Sequence, residues 1–154
     1  MRPYNSVVDL NGDGRTDIVL SGDSNGVALG NGQRTSVAWL ENPGSLGQFT
    51  SHAIAEPQEG TPVITAAIAI GDLDGDGDSD TAAIIGGRRF DWFENTGGRY
   101  PSWKPHTVVA EADNIYFRNL AVGDIESGHA DIIVARSTDN MGSVDGHFVL
   151  YTRQ

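Results

Sequence analysis

Cysteine is absent from the 154 residues, which excludes disulfides, zinc–thiolate sites and thiol catalysis. That absence says little about compartment, because many exported bacterial proteins lack cysteine too. No apolar run is long enough to span a bilayer, so membrane insertion is not expected. The first five residues lack the apolar stretch of a signal peptide, and an exported protein would carry its signal outside this sequence. Basic residues are few, 10 Lys and Arg against 21 Asp and Glu, for a formal charge of −11. Nucleic acid and anionic membranes would be repelled by such a balance. Sustained helical periodicity is also missing. So are a Ser-His-Asp order, a Gly-rich phosphate loop and a transition-metal cluster.

What is present is repetition. AIAIGDLDGDGDSDTAAI (67–84) matches SVVDLNGDGRTDIVL (6–20) and, more loosely, LAVGDIESGHADIIVA (120–135). Downstream, VAWLENPG (37–44) matches FDWFENTGG (90–98), and FVLYTR (148–153) holds the third place with Leu150 at the Trp position. FTSHAIAE (49–56) matches WKPHTVVAE (103–111) and has no third copy. Each copy reads as four short strands, A before the acidic loop, B after it, C with the Trp and D with His52 or His106. The runs are rich in Val, Ile, Ala and aromatics and are separated by Gly, Asn, Asp and Pro. PQEGTP (57–62) and EADN (111–114) read as joints between units.

Units of roughly 50 residues with four antiparallel strands have the size of β-propeller blades. The expectation is therefore one all-β domain over 1–154, with blades at about 1–58, 59–112 and 113–154, the third lacking its outer strand. Propellers typically close with about four to eight blades. Three blades predict either self-association, most simply a homodimer forming a six-bladed ring, or a segment of a longer propeller.

Eight of the acids fall in two loops, Asp9 to Asp17 and Asp72 to Asp80. D-L-N-G-D-G-R-T-D places oxygen ligands at positions 1, 3, 5 and 9, and D-L-D-G-D-G-D-S-D does so with four carboxylates. A tightly curled loop points alternate side chains inward, and glycine at position 6 (Gly14, Gly77) permits the turn. Position 7 (Arg15, Asp78) would add a backbone carbonyl. Calcium, which accepts six to eight oxygens in flexible geometry, suits such a loop better than magnesium. An EF-hand is excluded, because its position 12 needs Glu between helices, and here it is Leu20 or Ala83 inside an apolar run. The third loop, Asp124 to Asp131, is one residue shorter and has no carboxylate between Glu126 and Asp131. It is expected to bind calcium weakly or not at all.

The acidic loop followed by W-x-E-N resembles the calcium-binding FG-GAP or VCBS repeats of integrin α-subunit propellers and of many secreted bacterial proteins. The resemblance implies Ca²⁺ held between strands A and B of a blade. It assigns as ligands Asp9, Asn11, Asp13, Arg15 (carbonyl) and Asp17, then Asp72, Asp74, Asp76, Asp78 (carbonyl) and Asp80. It also suggests an extracellular setting, where calcium is millimolar and weak sites suffice. The family hosts adhesion modules, lectins with sugar sites between blades, and carbohydrate-active lyases and dehydratases, and fold does not choose among them.

A calcium-stabilised, non-enzymatic module that binds carbohydrate is the leading expectation. Trp39 and Trp92 recur with Glu41-Asn42 and Glu94-Asn95, a pattern that favours packing over sugar stacking; Trp103, without a Trp counterpart in the first unit, is the better stacking candidate. His52 and His106 also recur, which favours structural roles over catalysis. Arg88 and Arg89 lie in a B–C turn and could meet a carboxylated ligand. The first unit carries an insertion of about ten residues near SNGVALGNGQ (24–33), where a binding loop could sit. An enzyme would require non-repeated groups to converge, with Tyr116, Arg118, His129 and His147 as candidates. Protein adhesion is the third possibility.

Overall fold

Short apolar runs punctuated by glycine become strands throughout. The computed structural model describes residues 5–22, 25–45, 47–55, 65–110, 115–125, 130–138 and 147–151. Among them are thirteen strands and no helix: β1 (Asn5–Val8), β2 (Asp17–Ser21), β3 (Val27–Ala28), β4 (Arg34–Thr35), β5 (Val37–Glu41), β6 (Thr50–Ala55), β7 (Thr65–Gly71), β8 (Asp80–Ile85), β9 (Arg89–Asn95), β10 (Trp103–Val109), β11 (Tyr116–Gly123), β12 (Asp131–Ser137) and β13 (His147–Tyr151). They form antiparallel sheets in the orders β1-β2-β5-β6, β7-β8-β9-β10 and β11-β12-β13, plus the hairpin β3-β4. These are the A-B-C-D meanders read from the repeat, with three strands in the third. The joints at 57–62 and 111–114, and residues 126–129 of the third loop, lie outside the described residues. The insertion of the first unit carries the β3-β4 hairpin. The sheets are propeller-like and do not close into a barrel.

Alternation along the strands decides which neighbour each side chain meets. In the second sheet Ala83, Ile68 and Phe93 join Val19, Val37, Trp39 and Ile54 of the first sheet in one core cluster. Ala82, Ile84, Phe90 and Ala67 join Phe117, Leu120, Ile132 and Val134 of the third in another. Because both faces of β8 are covered, Asp80 to Ile84 are all buried, and the strand reads as a continuous run of small and apolar residues instead of alternating. By contrast β2, in the first sheet, alternates buried and half-buried positions.

Two details set the spacing and twist. A methyl group at Gly71 would overlap Val122 Cγ1, so glycine is needed where β7 and β11 approach. The D strands bulge at equivalent places: Ala53 and Ala55 pair across to Ala38 and Val37, leaving Ile54 as the extra residue, and Thr107 and Val109 pair to Asp91 and Phe90, leaving Val108. Such bulges increase local twist.

Candidate functional site: an acidic loop beside a cleft

Both acidic loops are held by their own backbone amides. In the first, Asp9 accepts hydrogen bonds from the amides of Asp13 at 3.1 Å and Gly14 at 2.8 Å. In the second, Asp72 accepts from Gly75 at 2.7 Å and Gly77 at 3.0 Å. Gly14 and Gly77 take positive φ, 82° and 96°, a conformation in which a side chain would be strained. These turns curl each loop on itself.

The last aspartate of each loop does more than the ligand pattern asks of it. Asp80 is fully buried; its carboxylate accepts the amides of Leu73 and Asn95, each at 2.8 Å. Asp17 likewise accepts Leu10 at 3.2 Å and Asn42 at 2.8 Å. Each carboxylate thus ties the loop's entry to the end of strand C. Asp131 accepts the amide of Ile125 at 2.9 Å in the third loop, while its Oδ1 is buried without a hydrogen-bond partner among the described residues. The Asn of W-x-E-N completes the lock. Asn42 Nδ2 donates to Thr16 O at 2.9 Å, and Asn95 Nδ2 donates to Ser79 O at 3.1 Å and to Leu10 O of the first sheet's loop at 2.9 Å.

Chemically the two loops differ. Carboxylate oxygens of Asp72, Asp74 and Asp80 all lie within 4.8 Å of one another. With Ca–O distances of about 2.3–2.6 Å, oxygens on opposite sides of one ion stand about that far apart, so the donor set fits calcium. Asp76 is exposed and accepts the Asp78 amide at 2.9 Å, and the Asp78 side chain packs on Gly97, leaving its carbonyl as the group position 7 could offer. In the first loop the three carboxylates do not converge in this way among the described residues. There Asp13 pairs with the Arg15 guanidinium, whose Nε also donates to Asn42 O at 2.9 Å. Asn11 Oδ1 accepts the Asp13 amide at 3.2 Å.

Crowding of like charge is visible in the acidities. Burial, with the charges of Asp74 and Asp76, pushes the Asp80 carboxyl up to about 6 despite its two amide bonds. Burial raises Asp74 too, aided by the charges of Asp76 and Glu94, and burial likewise raises Asp17. A cation among these oxygens would relieve both the repulsion and the cost of burying charge.

Beside the second loop, between the second and third sheets, lies a cleft of about 410 Å³. Its walls include Trp92, Tyr151, Glu94, Lys104, His106 and Asp74. The indole of Trp92 stacks on the imidazole of His106, centroids 4.3 Å apart and planes 11° apart. His106 Nε2 is 2.6 Å from Glu94 Oε2, and Lys104 Nζ is 3.0 Å from the same oxygen. Hydrogen bonds from Lys104, then His106, hold the Glu94 carboxyl below its ordinary acidity range. The first sheet repeats this arrangement, with Trp39 on His52 at 4.5 Å and His52 Nε2 3.0 Å from Glu41 Oε2. Strand pairing explains the recurrence, since Trp39 and His52, and Trp92 and His106, are direct cross-strand partners.

Several candidates find other roles. Trp39 is 2% exposed; it belongs to the core between the first and second sheets, the packing role its recurrence favours, and offers no face to a sugar. Trp103 packs partly against that same core, with its indole nitrogen buried, and does not line the cleft. Arg88 is half-buried in the turn that bonds β11 through Gly87 O and the Phe117 amide at 2.7 Å, its guanidinium 6.0 Å from the Tyr116 ring centroid. Arg118 lies 5.3 Å from the same centroid. Arg89 pairs with the buried Asp91 at 2.7 Å. Of the proposed enzymatic group, Tyr116 and Arg118 are thus neighbours away from the cleft, while His129 and the side chain of His147 lie outside the described residues. Sequence reasoning missed the cleft. Its walls come from two different repeats, and only the recurring Trp and Glu hinted at one of them.

Residues 9–83 match the family model of the FG-GAP-like repeat, a span that runs from the first acidic loop through the second. No curated protein matches the chain. With acidic loops between strands A and B, antiparallel four-stranded sheets and no helix among the described residues, the matched span 9–83 of this chain is of the FG-GAP repeat type.

Proposed function

We propose that the protein is a calcium-stabilised propeller module that binds carbohydrate in the cleft between its second and third sheets. The observation that carries this reading is the adjacency of two features, three converging carboxylates at Asp72, Asp74 and Asp80 and a cleft that shares Asp74 with them. Aromatic and aliphatic walls with a few polar groups suit a sugar, whose apolar faces stack while its hydroxyls pair. Trp92 and Tyr151 supply the first property; Glu94, Lys104 and His106 supply the second. Calcium would be held by Asp72, Asp74 and Asp80 with the Asp78 carbonyl, and would supply fixed positive charge. A second site is proposed at Asp9, Asn11, Asp13, Arg15 (carbonyl) and Asp17, where Arg15 must first release Asp13. An extracellular location suits sites of this kind.

Self-association completes the proposal. The first sheet presents Val7, 67% exposed, and the third Phe148, 68% exposed, on faces turned away from the second sheet. A homodimer joining these ends gives six blades with a two-fold axis. A glycan array read with calcium and with chelator tests the ligand class. Calcium-dependent binding to a defined saccharide supports the reading; no binding to any sugar sinks it and leaves protein adhesion as the module's role.

A further inference from the structure

We infer that the outward faces of the first and third sheets are the two halves of one further seam. A second copy of this chain closes it head to tail, with Val7 of each copy seated over Gly123 of the other. The inference rests on the self-association proposed above and adds its polarity and its pairing.

The internal seams are the template. Aligning the repeats on their acidic loops makes Leu10, Leu73 and Ile125 equivalent, and likewise Val7, Ile70 and Val122. Aligning them on W-x-E-N makes Val37, Phe90 and Phe148 equivalent, and likewise Trp39, Trp92 and Leu150. Leu10, Leu73, Val37 and Phe90, each covered by a following sheet, are buried. The third sheet has none after it among the described residues, and its Ile125, Phe148 and Leu150 are exposed. The opposite half behaves in the same way. Ile70 and Trp103 of the second sheet pack into the core shared with the first, whereas their first-sheet equivalents, Val7 and Phe49, are exposed. Apart from Tyr100, every large exposed hydrophobic among the described residues thus stands at a seam position.

Two details match knob to hole and donor to acceptor. Between the second and third sheets Val122 lies over Gly71, its Cβ 3.5 Å from where a Cβ on Gly71 would stand. Gly123 is the third sheet's equivalent of Gly71, and a Cβ there meets nothing within 4 Å. It is an open seat for the first-sheet equivalent of Val122, which is Val7. Between the first and second sheets Asn95 Nδ2 reaches back to Leu10 O at 2.9 Å. Its first-sheet equivalent, Asn42, donates to Thr16 O at an exposed site and keeps a second N–H for Ile125 O of the other copy. Because the two halves differ, the contact is heterologous, and with three sheets per copy it closes at two copies.

The chain has no cysteine, so an introduced disulfide reads the pairing directly. A Cβ–Cβ separation of about 3.5–4.5 Å suits such a bond. Gly71→Cys with Val122→Cys should link within one chain and controls for the template. Val7→Cys and Gly123→Cys chains, oxidised separately, should remain unlinked. Mixed and then oxidised, they should give a covalent dimer, and one chain carrying both changes should give a dimer linked twice. Light scattering of the unaltered chain accompanies these reactions. A dimer whose internal control links while Val7→Cys and Gly123→Cys do not overturns the seam alone. A monomer at micromolar concentration overturns the self-association it rests on. An unlinked internal control overturns the template. Linking in either single variant overturns the head-to-tail polarity, and a ladder of higher multimers overturns closure at two copies.

Discussion

The carboxylate of Asp80 accepts the backbone amide of Asn95 at 2.8 Å while its other oxygen accepts that of Leu73, so one buried side chain fastens an acidic loop to the end of a strand 15 residues away. Replacing it tests that fastening separately from any metal. In chelator, Asp80→Ala strands two buried amides and should cost about 3 kcal/mol. Asp80→Asn keeps one acceptor and should cost roughly half of that. Urea unfolding measures both; equal stability of the two variants would discount the backbone role.

Acidity gives a second expectation. Asp80 moves from an ordinary 3.8 to about 6 on folding, and Asp17 and Asp74 move the same way. The folded, metal-free chain therefore holds these protons more tightly than the unfolded chain does. The stabilisation from this source is complete below about pH 4 and is lost as pH climbs through about 6. Calcium takes the place of the proton, so the gain in melting temperature on adding calcium should be larger at pH 7 than at pH 5. Scanning calorimetry across that range checks it, and a gain that shrinks toward neutrality contradicts it.

Calcium that binds only the folded chain stabilises it by RT ln(1 + [Ca]/Kd). An unchanged melt in excess chelator would count against occupied loops. The two loops should differ, because Arg15 at position 7 of the first loop pairs with Asp13, whereas position 7 of the second loop is Asp78. Calorimetry should therefore resolve a tighter and a weaker site. Arg15→Ala should strengthen the weaker one several-fold by freeing Asp13 and removing a positive charge. Weaker binding in that variant would show that Arg15 supports the site.

Trp39 and Trp92 share a motif and differ in surroundings. Trp39→Ala empties a core position and should cost about 3–5 kcal/mol. Trp92→Ala opens onto an existing cleft and should cost less, by about 1–2 kcal/mol or more. Parallel urea melts decide this, and equal losses would mean the cleft is closed in solution.

Light scattering at micromolar concentration should find a dimer, and Phe148→Lys, placed on the outward face of the third sheet, should shift it toward monomer. A wild-type chain that stays monomeric rejects the six-bladed assembly.

The order of strands was legible because the repeat supplied it more than once: each acidic loop separates strands A and B, each W-x-E-N marks strand C, and His52 and His106 mark strand D. The third sheet has three strands among the described residues, and the sequence has no third copy of the His segment. What could not be read depends on partners distant in sequence. The bulges at Ile54 and Val108 are invisible until Val37 and Phe90 are placed opposite. The position-7 residues read as carbonyl donors, yet their side chains are what reach the C–D turn, Arg15 to Asn42 O and Asp78 to Gly97. Identical local motifs gave Trp39 and Trp92 equal standing, and only the neighbouring sheet separates a core residue from a cleft wall.

Strand β8 has no solvent face, since Ala83 looks toward the first sheet and Ala82 and Ile84 toward the third. The middle repeat is consequently not a portable cassette. Cut out as residues 65–110, it would bare both of its apolar sides at once and should collapse or aggregate. Anyone borrowing this architecture must transplant neighbouring repeats together, because the smallest self-sufficient piece is defined by the seam between two sheets rather than by the sequence period.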